Sequence, residues 1–160
     1  MLKLFFIGLA ISMLALACNG HRKSPHESVE EGNVKVTYGR PYKKGREIFG
    51  GLEKYGKVWR TGADEATEIT FAKDGSFGGK PVKAGTYSLY TIPNEKEWTI
   101  ILNSQTGHLG IEYNKNRDVL RVQAPVHELN DVVEQLTIRF DKDNMIIEWD
   151  RTQVRVPVDF

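Results

Sequence analysis

The chain has a single cysteine among its 160 residues, so it forms no internal disulfide. Histidine is scarce as well: the four fall at His21, His26, His108 and His127, with no paired spacing between them. Without a His-Glu-x-x-His pattern or a second cysteine there is no metal-ligand set, and no metal or other cofactor is expected. No Gly-x-Ser-x-Gly elbow marks a serine nucleophile. An excess of charge is missing too, with 22 Lys+Arg against 21 Asp+Glu. Nucleic-acid binding wants a basic face, so no nucleic-acid partner is expected. The apolar run Leu4–Leu14 falls short of the roughly 20 residues that a membrane-spanning helix needs. No segment of helical length shows a 3.6-residue apolar period.

What the N-terminus does have is a secretory leader. Lys3 supplies the positive start, Leu4–Leu14 the apolar centre, and Ala15-Leu16-Ala17-Cys18 the small-residue end. That last stretch resembles the lipobox of bacterial lipoproteins, although lipoboxes more often carry Leu at the position of Ala15 and a small residue at that of Leu16. The resemblance implies cleavage before Cys18, whose sulfur then carries a diacylglycerol. Two or more acyl chains make a stable anchor. The expected organisation is a leader over 1–17, a lipidated Cys18 and polar tether over 18–32, and one domain over 33–160. The membrane is then a partner through Cys18. Asn19, rather than aspartate, follows the cysteine, which points to the periplasmic face of the outer membrane. Loss of Lys3 with the leader leaves 21 cationic residues against 21 acidic ones. No polybasic patch is expected beyond Arg22-Lys23.

From Val34 onward the dominant period is two. Val34, Val36 and Tyr38 alternate with Lys35 and Thr37; Trp98, Ile100 and Leu102 form another set; Leu136, Ile138 and Phe140 flank Thr137 and Arg139; Val154, Val156 and Val158 close the chain. Such alternation turns one set of side chains to a core and the other to water. Asp74-Gly75 is a hairpin signal, and Gly78-Gly79, Ala84-Gly85, Pro93-Asn94 and Asp141–Asn144 bound further strands. The pattern predicts an all-β domain, a β-sandwich of about eight short, mainly antiparallel strands, with a small β-barrel as the alternative.

Residues 38–66 break the alternation. Six glycines (Gly39, Gly45, Gly50, Gly51, Gly56 and Gly62) share this stretch with Arg40, Arg46 and Arg60. A connection of this length without secondary structure is uncommon and often functional. Guanidinium forks pair with carboxylates and phosphates, so the three arginines are candidates for binding an anion; the competing reading has them locking the loop through internal ion pairs. Tyr38, Trp59, Asp64 and Glu65 complete the candidate ligand-binding set, with Trp59 equally readable as core. Glu65 or Asp64 with His108 is the only acid/base combination on offer.

The motifs Tyr38-Gly39-Arg40-Pro41, Gly45-Arg46-Glu47-Ile48-Phe49-Gly50-Gly51, Val58-Trp59-Arg60-Thr61-Gly62-Ala63, Ala84-Gly85-Thr86-Tyr87-Ser88-Leu89-Tyr90 and Glu97-Trp98-Thr99-Ile100-Ile101-Leu102-Asn103 together resemble domain-of-unknown-function family 2911, over about Ser24 to Val158. The resemblance implies a secreted or lipid-anchored bacterial envelope domain with no assigned activity and no catalytic residues to carry over. Relatives usually read Gly-Ala-Asn-Glu where this chain has Gly62-Ala63-Asp64-Glu65, and often a Trp before the glycine of His108-Leu109-Gly110.

The leading expectation is a non-enzymatic binding or accessory module that presents loop 38–66 to an anionic small molecule, a glycan or an envelope protein. The alternatives are an envelope hydrolase using Glu65 or Asp64 with His108, and a structural protein-interaction module.

Overall fold

The computed structural model describes residues 22–160; the expected leader and Cys18 lie outside the described residues. Nine strands follow one another: β1 (His26–Glu31), β2 (Val34–Gly39), β3 (Glu68–Phe71), β4 (Gly75–Phe77), β5 (Lys80–Val82), β6 (Gly85–Ile92), β7 (Glu97–Asn103), β8 (Asp118–Asp141) and β9 (Asn144–Asp159). They form one antiparallel sheet in the order β1-β2-β3-β6-β7-β8-β9-β4-β5. The sheet is open, since β1 and β5 end it without pairing to each other.

The long strand β8 gives the sheet its sandwich-like form. Its first part pairs with β7 as far as Glu97↔Pro125, and from Val126 onward it pairs with β9. Register shifts between Glu128 and Val133 and between Val133 and Thr137 interrupt the second half. Such irregularities bend a strand and increase its twist. One strand thereby carries the chain from the β1-β2-β3-β6-β7 layer to the β9-β4-β5 layer. The inward side chains of both meet in a core that includes Val36, Ile69, Phe71, Leu89, Ile100, Leu102, Ile138, Ile147 and Val156, each exposed by 1% or less. Among the described residues, the buried hydrophobic side chains all fall between Val34 and Val156.

Two expectations are corrected. Residues 26–31, read as tether, form β1 and pair with β2 from His26↔Gly39 to Glu31↔Val34. Val29 is the one aliphatic residue in His26-Glu27-Ser28-Val29-Glu30-Glu31, because an edge strand has one neighbour and a wet outer face. Asp74-Gly75, read as a hairpin, instead links β3 to β4, which do not pair; the hairpin is made by Gly78-Gly79 between β4 and β5, both at positive φ.

Loop 38–66 is packed despite its lack of regular structure. Ile48, Phe49 and Trp59 enter the core. The Phe49 ring meets Trp98 edge-on at 4.7 Å, and Trp59 stacks on Trp149 at 6.0 Å. Aromatic side chains of this size each bury roughly 150–250 Å². The backbone is laced as well: Lys43 N–H donates to Glu134 O, Leu136 N–H donates to Pro41 O, and Trp59 and Thr91 exchange both of their backbone bonds.

Candidate functional site

Two clefts flank the stretch Arg60–Ala66, and Gly39 and Gly110 let the chain reach that position. A Cβ on Gly39 would stand 2.0 Å from Ala63 O, so only glycine admits the return of the loop onto β2. A Cβ on Gly110 would meet Arg60 and Ala66 at 2.9 Å, which brings loop 104–114 against the same segment.

The first cleft is a groove of about 470 Å³ between residues 41–46 and 60–64. Lys23, Lys44, Arg46 and Arg60 line it, together with Glu53 and Asp64. Arg46 donates to the carbonyls of Lys43 and Tyr42, and Arg60 donates through Nη1 to Leu109 O at 3.0 Å. Neither makes an ion pair among the described residues. Arg60 therefore retains free N–H groups, and Arg46 a full charge not neutralised by a contacting carboxylate. Glu53 has no side-chain hydrogen bond among the described residues. Burial pushes its carboxyl above the ordinary range, against the pull of the Arg60 and Arg46 charges.

The second cleft, about 270 Å³, is lined by Arg22, His26, Thr37, Glu65, Glu68 and His108, among others. Arg22, His26 and Glu65 are turned to one another, and Glu68 accepts from Gly107 N–H at 2.8 Å. Glu65 Oε1 accepts from Arg22 Nε at 3.0 Å, and His26 Nε2 stands 2.9 Å from Oε2, close in distance but not aligned as a hydrogen bond. Burial raises the Glu65 carboxyl pKa, but the Arg22 hydrogen bond, its own backbone N–H and the charges of His26 and Arg22 outweigh this and hold it below the ordinary range. His108 Nδ1 accepts from Gly110 N–H at 2.9 Å, and Nε2 stands 3.1 Å from Gln105 O. An acceptor bond at one nitrogen and a carbonyl at the other define a neutral tautomer with its proton on Nε2. Glu65 and His108 thus share a cleft, yet both His108 nitrogens are engaged within their own loop. A general base must offer a free lone pair to the reacting proton, so this geometry gives the hydrolase reading no support.

Three candidate ligand residues belong to the scaffold. Tyr38 is 1% exposed, and its hydroxyl accepts from Ile138 N–H at 2.9 Å. Trp59 is 5% exposed, within the aromatic cluster. Arg40 is locked: Nε donates to Leu136 O, Nη2 to Thr137 Oγ1, and Nη1 pairs with Glu27 at 2.7 Å. Tyr38 and Arg40 turn towards β8, and Trp59 towards the rings of Phe49, Trp98 and Trp149. Asp64 is a clamp. Its carboxylate accepts from the backbone N–H groups of Lys23 and Ser24 at 3.2 and 3.1 Å, and its φ of 65° is one that aspartate and asparagine tolerate.

Lys23, Lys44 and Glu53 were missed as site residues. Lys44 and Glu53 lie within the loop already marked, and their charges were the available signal; Lys23 sat in the supposed tether.

The family model described as "Protein of unknown function (DUF2911)" matches residues 21–158. The chain belongs to the DUF2911 family. No curated protein and no solved structure matches it. In this DUF2911 domain the family motif around Gly62 forms the wall between the two clefts. The motif around Gly50 supplies Ile48 and Phe49 to the core and Arg46 to the groove.

Proposed function

We propose that this DUF2911 chain is an exported, lipid-anchored binding module of the bacterial envelope, without catalytic activity, that holds an anionic ligand in the groove between Arg46 and Arg60. One observation carries the reading: two arginines and two lysines line a groove in which none of them is ion-paired among the described residues. Arg22, Arg40, Lys43, Lys83, Arg121 and Arg139 each have a carboxylate partner, whereas surface cations such as Lys35, Arg117 and Arg155 also lack one among the described residues but line no such groove. Guanidinium groups left with free donors suit carboxylate or phosphate. Anchoring rests on Cys18 and its lipobox, and the periplasmic face of the outer membrane on Asn19.

The test uses the chain from Asn19 to Phe160, which contains every described strand. Its melting temperature is measured with inorganic phosphate and with glucuronate, as a phosphate and a carboxylated sugar. A binder raises the wild-type melting temperature and leaves Arg60→Ala unmoved. Equal shifts in both proteins, or a shift in neither, would remove the groove as the site. For the anchor, the intact chain is expressed with a labelled fatty acid; label that persists in Cys18→Ser would refute lipidation there.

A further inference from the structure

The chain's charges balance overall, but not locally. Segment 41–60 holds Lys43, Lys44, Arg46, Lys54, Lys57 and Arg60 against Glu47 and Glu53 only. Of these cations, Lys43 is spent on Asp150. The expectation of no basic patch beyond Arg22-Lys23 summed the whole chain and missed this concentration.

Exposed apolar side chains gather at the same place. Of the eight large exposed hydrophobic residues among the described ones, Tyr42, Leu52, Val58, Leu109 and Ile111 surround Arg60. Tyr42 and Leu52 line the cationic groove; Val58 and Ile111 line a neighbouring cleft that shares Glu53, Arg60 and Gly62 with it; Leu109 O accepts from Arg60. Leu109 is 58% exposed and Ile111 74%. A contiguous apolar band rimmed by cations marks an interaction surface.

The N-terminal arm ends at this face. Asp64 and Glu65 dock Arg22, Lys23 and Ser24 beside the groove. Only three residues lie between Cys18 and Arg22, and the four chain steps span at most about 14 Å. Residues 22–31 of the supposed tether are docked or in β1, so a lipid on Cys18 would keep this face close to a membrane.

We infer that the band formed by loops 41–60 and 109–111 lies against an anionic bilayer, with Leu52 and Ile111 entering the headgroup region and Lys44, Arg46 and Arg60 facing lipid phosphates. The occupant rests on the anchored-lipoprotein reading; the test does not, because it uses protein without the lipid. Basic residues near an anionic surface and apolar residues inserted beside them act together.

The Asn19–Phe160 chain is measured by co-sedimentation with vesicles of phosphatidylglycerol mixed with phosphatidylcholine, and with vesicles of phosphatidylcholine alone. The expected result is binding to the anionic vesicles only, weakened by added salt. R46A/R60A should bind about tenfold or more weakly. L52S/I111S should lose binding, while V119S/V132S, at exposed positions outside the band, should keep it. Arg46, Leu52, Ile111, Val119 and Val132 are solvent-exposed and Arg60 is half-buried; circular dichroism confirms that the variants fold. No binding to anionic vesicles, or full binding by L52S/I111S, overturns the inference. The phosphate melting shift separates the two readings: a shift that survives in L52S/I111S while vesicles fail to bind retains the groove and removes the membrane face.

Discussion

The two clefts on either side of Arg60–Ala66 are built from the same kinds of side chain and leave them in opposite states. In the second cleft Glu65 meets Arg22 and His26, and His108 closes on its own loop. In the first, Arg46 and Arg60 face a groove without a carboxylate in contact. The two glutamates record the difference, with the Glu65 carboxyl pulled below the ordinary range and that of Glu53 pushed above it. A cluster of charged residues is thus no guide to a site until its partners are counted. Satisfied charge is scaffold, and unsatisfied charge at a surface groove is available to a ligand.

The sharpest way to break this comparison is to remove an arginine of each kind. Arg40→Ala strips bonds from Leu136 O, Thr137 and Glu27, and hydrogen bonds of charged groups contribute about 1.5–3 kcal/mol each where they are sheltered. Discounted for its partial exposure, the loss of stability should be about 2 kcal/mol by urea denaturation, with groove binding unchanged. R46A/R60A should do the reverse. Its stability should fall by less than about 1 kcal/mol, since these arginines make no ion pair, while anion affinity drops tenfold or more by calorimetry.

Asp64→Ala frees the Lys23 and Ser24 backbone from its clamp at a cost of about 1 kcal/mol. The arm should then show faster amide exchange, with β3 to β9 unchanged.

The smallest effects come from the glutamates and carry opposite signs. A raised carboxyl binds its proton more readily when folded, so Glu53 costs stability as pH rises through its folded pKa. Glu53→Gln should therefore be more stable than wild type at neutral pH and bind phosphate a few-fold more tightly. Glu65, with its lowered pKa, contributes stability above the ordinary carboxyl range and loses it as pH falls through its folded pKa. Glu65→Gln should be less stable at neutral pH, and the deficit should vanish in strong acid. Melting curves across pH check both; equal signs would mean that the two carboxyls do not differ as described.

Much of the fold was legible. Runs such as Trp98-Thr99-Ile100-Ile101-Leu102 and Met145-Ile146-Ile147-Glu148-Trp149 announce strands by local pattern, and β7 and β9 follow. β1 was not legible, because an edge strand with a single aliphatic residue looks like linker. Loop 38–66 was marked as the unusual region, and the groove does lie on it. Which of its residues face that groove was not legible: Arg40 and Arg60 read alike, yet Arg40 finds Leu136 O 96 positions away, while Arg60 finds a loop carbonyl and leaves donors over.

The sequence by itself determined the all-β class, the family and the position of the irregular loop, because each is written in neighbouring residues whose side chains alternate or whose glycines interrupt. Only the tertiary structure decided which charges are satisfied, where the N-terminal arm docks, and that basic and apolar side chains share one face. Pairing and burial depend on residues brought together across the whole chain by the bend of β8, and no local pattern encodes that meeting.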